Sequence, residues 1–159
     1  MINRLFLAMT DYFKGDQKRI NHFVKVHSFA KLIGESENID GKTMFILECA
    51  SLTHDIGIKK GEKLYNRNDG KIQEQLGPEE AERIMKSLDF QQEIIDRVKF
   101  LIANHHTYKS IDSIDLQILV EADFLVNTCE DNLSKDTSVK LGEKIFKTNT
   151  GKQLLENLY

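Results

Sequence analysis

One proline, Pro78, stands in 159 residues, and along most of the chain apolar side chains recur at helical spacing. Proline removes a backbone donor and breaks the helical ladder, so a chain almost without it and with a 3.6-residue period reads as helix after helix. The expected fold class is all-α. Residues 2–14 make a first amphipathic helix, and Asp16 offers an N-cap to "QKRINHFVKVHSFAKLIGES". Asp40 or Gly41 starts a third, "KTMFILECASLTHD", apolar enough to be buried on most sides, which Gly57 can end through a left-handed cap. The segment 57–76, "GIKKGEKLYNRNDGKIQEQL", is polar without a helical stripe and reads as a long surface loop. Pro78 then suits the first position of the helix "GPEEAERIMKSL". "QQEIIDRVKFLIAN" leads into His105 and His106, "DLQILVEADFLVNTC" follows, and "VKLGEKIFKT" and "GKQLLENL" close the series.

Composition limits what such a bundle does. With 40% hydrophobic and 30% charged residues, a chain of this length can bury one sizeable core, so one domain over 1–159 is expected. A formal net charge of −3 and a pI near 6.0 lack the basic excess of a nucleic-acid binder, which leaves a small or proteinaceous partner. Cys49 and Cys129 lie in apolar helical stretches with no CxxC spacing, as core thiols of a reducing compartment would, and the expected location is cytoplasmic. "MINRLFLAMTDYF" is too short an apolar run for a secretory signal, and no membrane span is expected.

Against this apolar background a few polar residues stand out. Asp123 shares a helix face with Leu116, Leu119, Val120 and Val126, where a lone carboxylate needs a partner. His22 shares one with Val26, Phe29 and Ile33, whereas His27 falls among Phe23, Val24 and Ala30 and reads as core packing. His54 and Asp55, about 100° apart on a helix, cannot point the same way, yet both can reach one ion lying between their directions. Imidazoles and carboxylates together suit divalent transition metals, and a carboxylate can bridge two ions.

These blocks resemble the HD-domain superfamily of metal-dependent phosphohydrolases. "RINHFVKVHSFA" is similar to its first-helix signature, "LTHDIG" to its His-Asp doublet, "LIANHHT" to the histidine pair of members with two metals, and "LVEADFLVN" to its final segment. The blocks run in family order over about residues 19–127. The resemblance implies a helical bundle of about six to eight helices around a central site. His22, His54, Asp55 and Asp123 would hold a divalent ion (Mn, Fe, Ni, Mg, Co or Zn), with Asp55 bridging to a second near His105. Where two-metal members place a further histidine, the chain has Gln73, Glu74 and Gln75, of which Glu74 can substitute as a carboxylate ligand. The lysine frequent three residues after the doublet is Ile58, with Lys59 and Lys60 following. Lys18 stands where trinuclear members have a glutamate, and "HHTYKS" lacks the Gly-Tyr-Pro extension of the cyclic dinucleotide phosphodiesterases.

The implied activity is hydrolysis of a phosphomonoester or phosphodiester in a nucleotide or other small phosphorylated metabolite by a metal-activated water. Asp55 and Asp123 would orient or deprotonate the water. His106, Lys59, Lys60, Lys109 and Arg67 are the candidates to meet the phosphate. Two other readings fit the same scaffold: a di-iron oxygenase, and a non-catalytic metal-containing ligand-binding or signalling module.

Overall fold

The computed structural model describes residues 1–108 and 111–159. Its helices are α1 (Ile2–Tyr12), α2 (Gln17–Ser36), α3 (Gly41–Thr53), α4 (Gly57–Tyr65), α5 (Gly70–Ser87), α6 (Gln92–Asn104), α7 (Ile114–Glu130), α8 (Lys135–Ile145) and α9 (Asn149–Leu158). The chain is all-α, with no strand among the described residues. Asp16 caps α2 by accepting from the Arg19 N–H at 3.1 Å, and Asp40 caps α3 by accepting from Lys42 and Thr43 at 3.0 and 3.1 Å. Such caps satisfy otherwise orphaned first-turn donors and contribute about 1 kcal/mol each.

Helix α7 runs through the middle, with every residue from Asp115 to Val126 buried, and α2 and α3 pack against it. A helix buried on all sides must find partners for its polar members inside the fold. Asp115 takes the Arg97 guanidinium of α6 at 2.9 and 2.7 Å. Glu121, fully buried, accepts from the backbone N–H groups of Lys147 at 2.6 Å and Thr148 at 3.0 Å, and from the Thr148 hydroxyl, so it anchors the start of α9. Leu5 and Met9 of α1 close one side of the main core, while Phe124, Leu125, Phe146 and Leu155 form a smaller cluster under α8 and α9.

The 57–76 segment departs from its loop reading, since it supplies α4 and the first two turns of α5. The inward residues of α4 are Gly57, Ile58 and Gly61, so its buried side is mostly backbone and shows no apolar stripe. Gly57 does not end α3 with a left-handed turn. It opens α4, and among the described glycines only Gly15 has positive φ. What position 57 demands is small size, because a Cβ there would lie 2.8 Å from the Gly77 nitrogen and 2.9 Å from the Gln73 carbonyl oxygen. Pro78 lies inside α5, which begins eight residues earlier, at Gly70. Cys49 is buried as expected, but Cys129 is exposed on α7. His27 is half-buried and meets Glu48 at 3.0 Å as well as the edge of Phe6, so polar pairing accompanies its packing.

Candidate metal centre

Four parts of the chain bring imidazoles and carboxylates together: the interior of α2, the α3–α4 junction, the end of α6 and the middle of α7. His22 Nε2 lies 3.2 Å from His54 Nε2, 3.2 Å from Asp123 Oδ1 and 3.4 Å from Asp55 Oδ2. His54 Nε2 is 3.4 Å from Asp123 Oδ1 and 3.6 Å from Asp55 Oδ1, and that same Asp55 oxygen is 3.7 Å from His105 Nε2. His22, His54 and Asp123 thus form one potential ligand group and Asp55, His105 and His106 a second, the atoms of each lying within 4.8 Å of one another.

Backbone geometry fixes which nitrogen faces inward. His54 and His105 occupy the C-caps of α3 and α6, where helix carbonyls lack intrahelical partners. His54 Nδ1 meets the Ser51 carbonyl at 3.0 Å and His105 Nδ1 meets the Ile102 carbonyl at 2.7 Å. A carbonyl only accepts, so both Nδ1 atoms carry protons and both Nε2 atoms turn to the centre. His106 is set the other way. The Gln73 amide donates to the Asn68 carbonyl at 2.9 Å, which leaves its oxygen to accept from His106 Nε2 at 2.6 Å, and Nδ1 is the unprotonated nitrogen.

Two of the three buried side-chain atoms without a hydrogen bond among the described residues, Asp123 Oδ1 and His105 Nε2, belong to this cluster. Unpartnered buried polar atoms are costly and call for an explanation. The electrostatics point the same way. Burial would raise Asp55, but the charge of His54 and the His105 imidazole facing it bring it down to about 2. Burial likewise opposes ionisation of Asp123, yet the His22 and His54 imidazoles facing it hold it well below the usual carboxylate range. His22 is lowered by burial and raised more strongly by Asp123, Asp55 and Glu130, reaching about 9. Two ionised carboxylates facing imidazole nitrogens make a donor set that fits a divalent cation.

Glu74, Lys59, Lys60 and Arg67 lie outside this convergence. The Glu74 carboxylate accepts from the His106 backbone N–H at 3.1 Å and the Thr107 hydroxyl at 3.0 Å, bracing the chain after α6. Lys59 donates to the Tyr12 carbonyl at 2.6 Å, Lys60 pairs with Glu80 at 3.3 Å, and Arg67 pairs with Asp69 at 2.8 Å. Burial and the neighbouring His105 push His106 down to about 4, so it is uncharged at neutral pH. Lys109 lies outside the described residues. A cavity of about 400 Å³ opens over His22 and Asp55, and Lys18, Asn68, Asn127 and Glu130 line it. These residues were not among the sequence candidates. Glu130 carried one usable signal, its place seven residues beyond Asp123, two turns along the same face.

Fold and donor set together define an α-helical protein built around a buried His/Asp cluster that could hold a metal ion. The HD domain family model matches residues 19–128. The chain belongs to that family, a family of metal-dependent hydrolases. Among solved structures it is similar to a predicted HD superfamily hydrolase from an uncultured Thermotogales bacterium, at 23% identity and a TM-score of 0.69 over 98% of this chain and 83% of the other. No curated protein matches the chain. No helix among the described residues is long and apolar enough to cross a membrane.

Proposed function

We propose that this HD-domain protein hydrolyses a phosphate ester of a nucleotide or another small phosphorylated metabolite. The observation that carries the reading is the convergence of His22, His54, Asp55 and Asp123 beneath an open cavity, with the Asp123 Oδ1 atom left without a hydrogen bond. These four residues would hold the ion, and His105 would join through Asp55. When bound, a divalent cation supplies Lewis acidity toward a phosphoryl oxygen and a nucleophile from water at neutral pH. Asp55, on the cavity side and ionised, would be the group to orient such a water and accept its proton. Asp123, deeper and facing two imidazoles, fixes the charge balance of the site.

The cavity lining supports a small substrate. Arg19 is committed to Asp16 and Glu62, both at 2.5 Å, which leaves Lys18 as the lining cation without an ion pair among the described residues. Asn68 and Asn127 offer amides suited to hydroxyls or a base edge, and acidic Glu130 and Asp131 disfavour a long polyphosphate. A volume of about 400 Å³ lies at the small end of ligand pockets.

The test is metal analysis of protein purified without chelator, followed by a panel of nitrophenyl phosphates and nucleoside monophosphates. Hydrolysis that stops with chelator and returns with one divalent ion is the expected result. Metal-loaded wild type that turns over nothing in a broad panel would leave the metal a non-catalytic role, and turnover requiring oxygen would indicate the di-iron chemistry.

A further inference from the structure

His22 differs from the other inward-facing histidines in where it sits. His54 and His105 lie at helix ends and give Nδ1 protons to free carbonyls of their own helices. His22 is the sixth residue of a 20-residue helix, and the carbonyls one turn back are already taken by the helical ladder. Its outer nitrogen therefore needs an acceptor from elsewhere in the fold. Glu130, the last residue of α7, meets His22 Nδ1 with Oε2 at 3.1 Å, while its Oε1 holds Lys25 at 3.1 Å. Its side chain is only 15% exposed. Asp123 and Glu130 lie two turns apart, so a single face of α7 addresses both the inner cluster and the outer nitrogen of His22.

From this arrangement we infer that Glu130 is a positioning residue for the metal centre. Its carboxylate holds the proton on His22 Nδ1, fixes the ring plane and turns the Nε2 lone pair toward His54, Asp55 and Asp123. The inference rests on the metal reading above and adds a residue to it. A carboxylate behind a ligating imidazole raises the ring's basicity and limits its rotation, and loss of such a partner weakens metal binding by about 10- to 100-fold. Lys25 is the side chain that separates this role from simple bracing. It shares Glu130 without touching His22, and it is 53% exposed.

The test uses the full chain and zinc as the probe, with affinity measured by competition against a chelating dye. Glu130→Ala should bind zinc about 10- to 100-fold more weakly than wild type, and Glu130→Gln, which keeps an acceptor oxygen, should recover part of the loss. Lys25→Ala should remain within about threefold of wild type, because the His22 hydrogen bond survives. In zinc-loaded wild type, nitrogen-15 spectra of the imidazoles should show His22 with its proton on Nδ1, and Glu130→Ala should lose that signature. Glu130→Gln, nearly isosteric, carries the test if the alanine variant melts early. Equal zinc affinity in wild type and both Glu130 variants overturns the inference while leaving the metal site standing. A Lys25→Ala defect as large as that of Glu130→Ala reduces Glu130 to a brace for the end of α7. Wild type that takes up no zinc or other divalent ion overturns the metal reading and this inference together.

Discussion

Removing the Glu121 carboxylate tests whether α7 divides its two buried acids, Glu121 and Asp123, between architecture and chemistry. Glu121 accepts two backbone N–H groups, the Thr148 hydroxyl and the Gln117 amide. In Glu121→Ala, Gln117 keeps a partner in the Ile145 carbonyl at 2.9 Å, but the Lys147 and Thr148 N–H groups do not have another acceptor nearby. Stranding a buried donor costs about 1–3 kcal/mol. The Thr148 N–H and hydroxyl are buried while Lys147 is exposed, so water relieves the Lys147 loss and about 3 kcal/mol is expected in total from the two buried donors. For a chain of this length that lowers the melting temperature by about 6–12 °C.

The assay is thermal unfolding followed by circular dichroism, with and without chelator, on wild type, Glu121→Ala and Asp123→Ala. The Glu121→Ala drop should be the same in both conditions, because its partners are amides and a hydroxyl. Asp123→Ala should lose most in the metal-loaded state, where a ligand that stabilises only the native form has been weakened. A Glu121→Ala melting point within about 3 °C of wild type, or a drop that vanishes with chelator, would refute the division.

Four further outcomes follow from the same structure. Gly57→Ala forces a methyl against the Gln73 and Gly77 backbones; overpacking of about 1–3 kcal/mol outweighs the gain of about 1 kcal/mol in helix propensity, and a lower melting point with less bound metal is expected. Gly41→Ala, with nothing within 4 Å of the added carbon, should melt like wild type. A disulfide thiol reagent at pH 8 should titrate one cysteine in native protein and two in denaturant, since Cys129 is exposed while burial and Glu48 push the Cys49 thiol up to about 12; two fast thiols in native protein would contradict the packing around Cys49. Asp55→Ala should abolish phosphate-ester hydrolysis, and chelator should lower the wild-type melting point more than the variant's; turnover retained by metal-free Asp55→Ala would remove Asp55 from the chemistry.

The convergence of His22, His54 and Asp123 was legible because each interrupts an apolar helical stripe, and a buried polar residue is the informative exception to hydrophobic patterning. Helices α4 and the start of α5 were not legible for the opposite reason. Their contact is made by Gly57, Gly61 and Gly77, residues that leave no stripe because they pack by what they lack. Pro78 then drew the helix start eight residues too late, since proline favours a first turn but is tolerated further in when its surroundings hold the helix. Glu121 and Asp123 looked alike as two acids in one apolar run. What separates them is a partner sequence 26 residues away in the case of Glu121, and only tertiary structure reveals that. Cys129, placed by its apolar neighbours, faces outward because it sits near the C-terminal end of α7, where the helix leaves the core.

The inward-facing groups are strung along the chain from His22 in α2 to Asp123 in α7, and this has a consequence for the order of events in synthesis. A chain still growing from the ribosome displays His22, then the His-Asp doublet, then the histidine pair, without the carboxylate that completes the set. Until α7 has emerged and packed against α2 and α3, those imidazoles are spread over an unfinished surface that lacks Asp123. Glu130, a further two turns along, arrives later still. Any ion the centre takes up would therefore be held only by chains made past residue 123, and chains cut short before it would be told from longer ones by what they fail to retain.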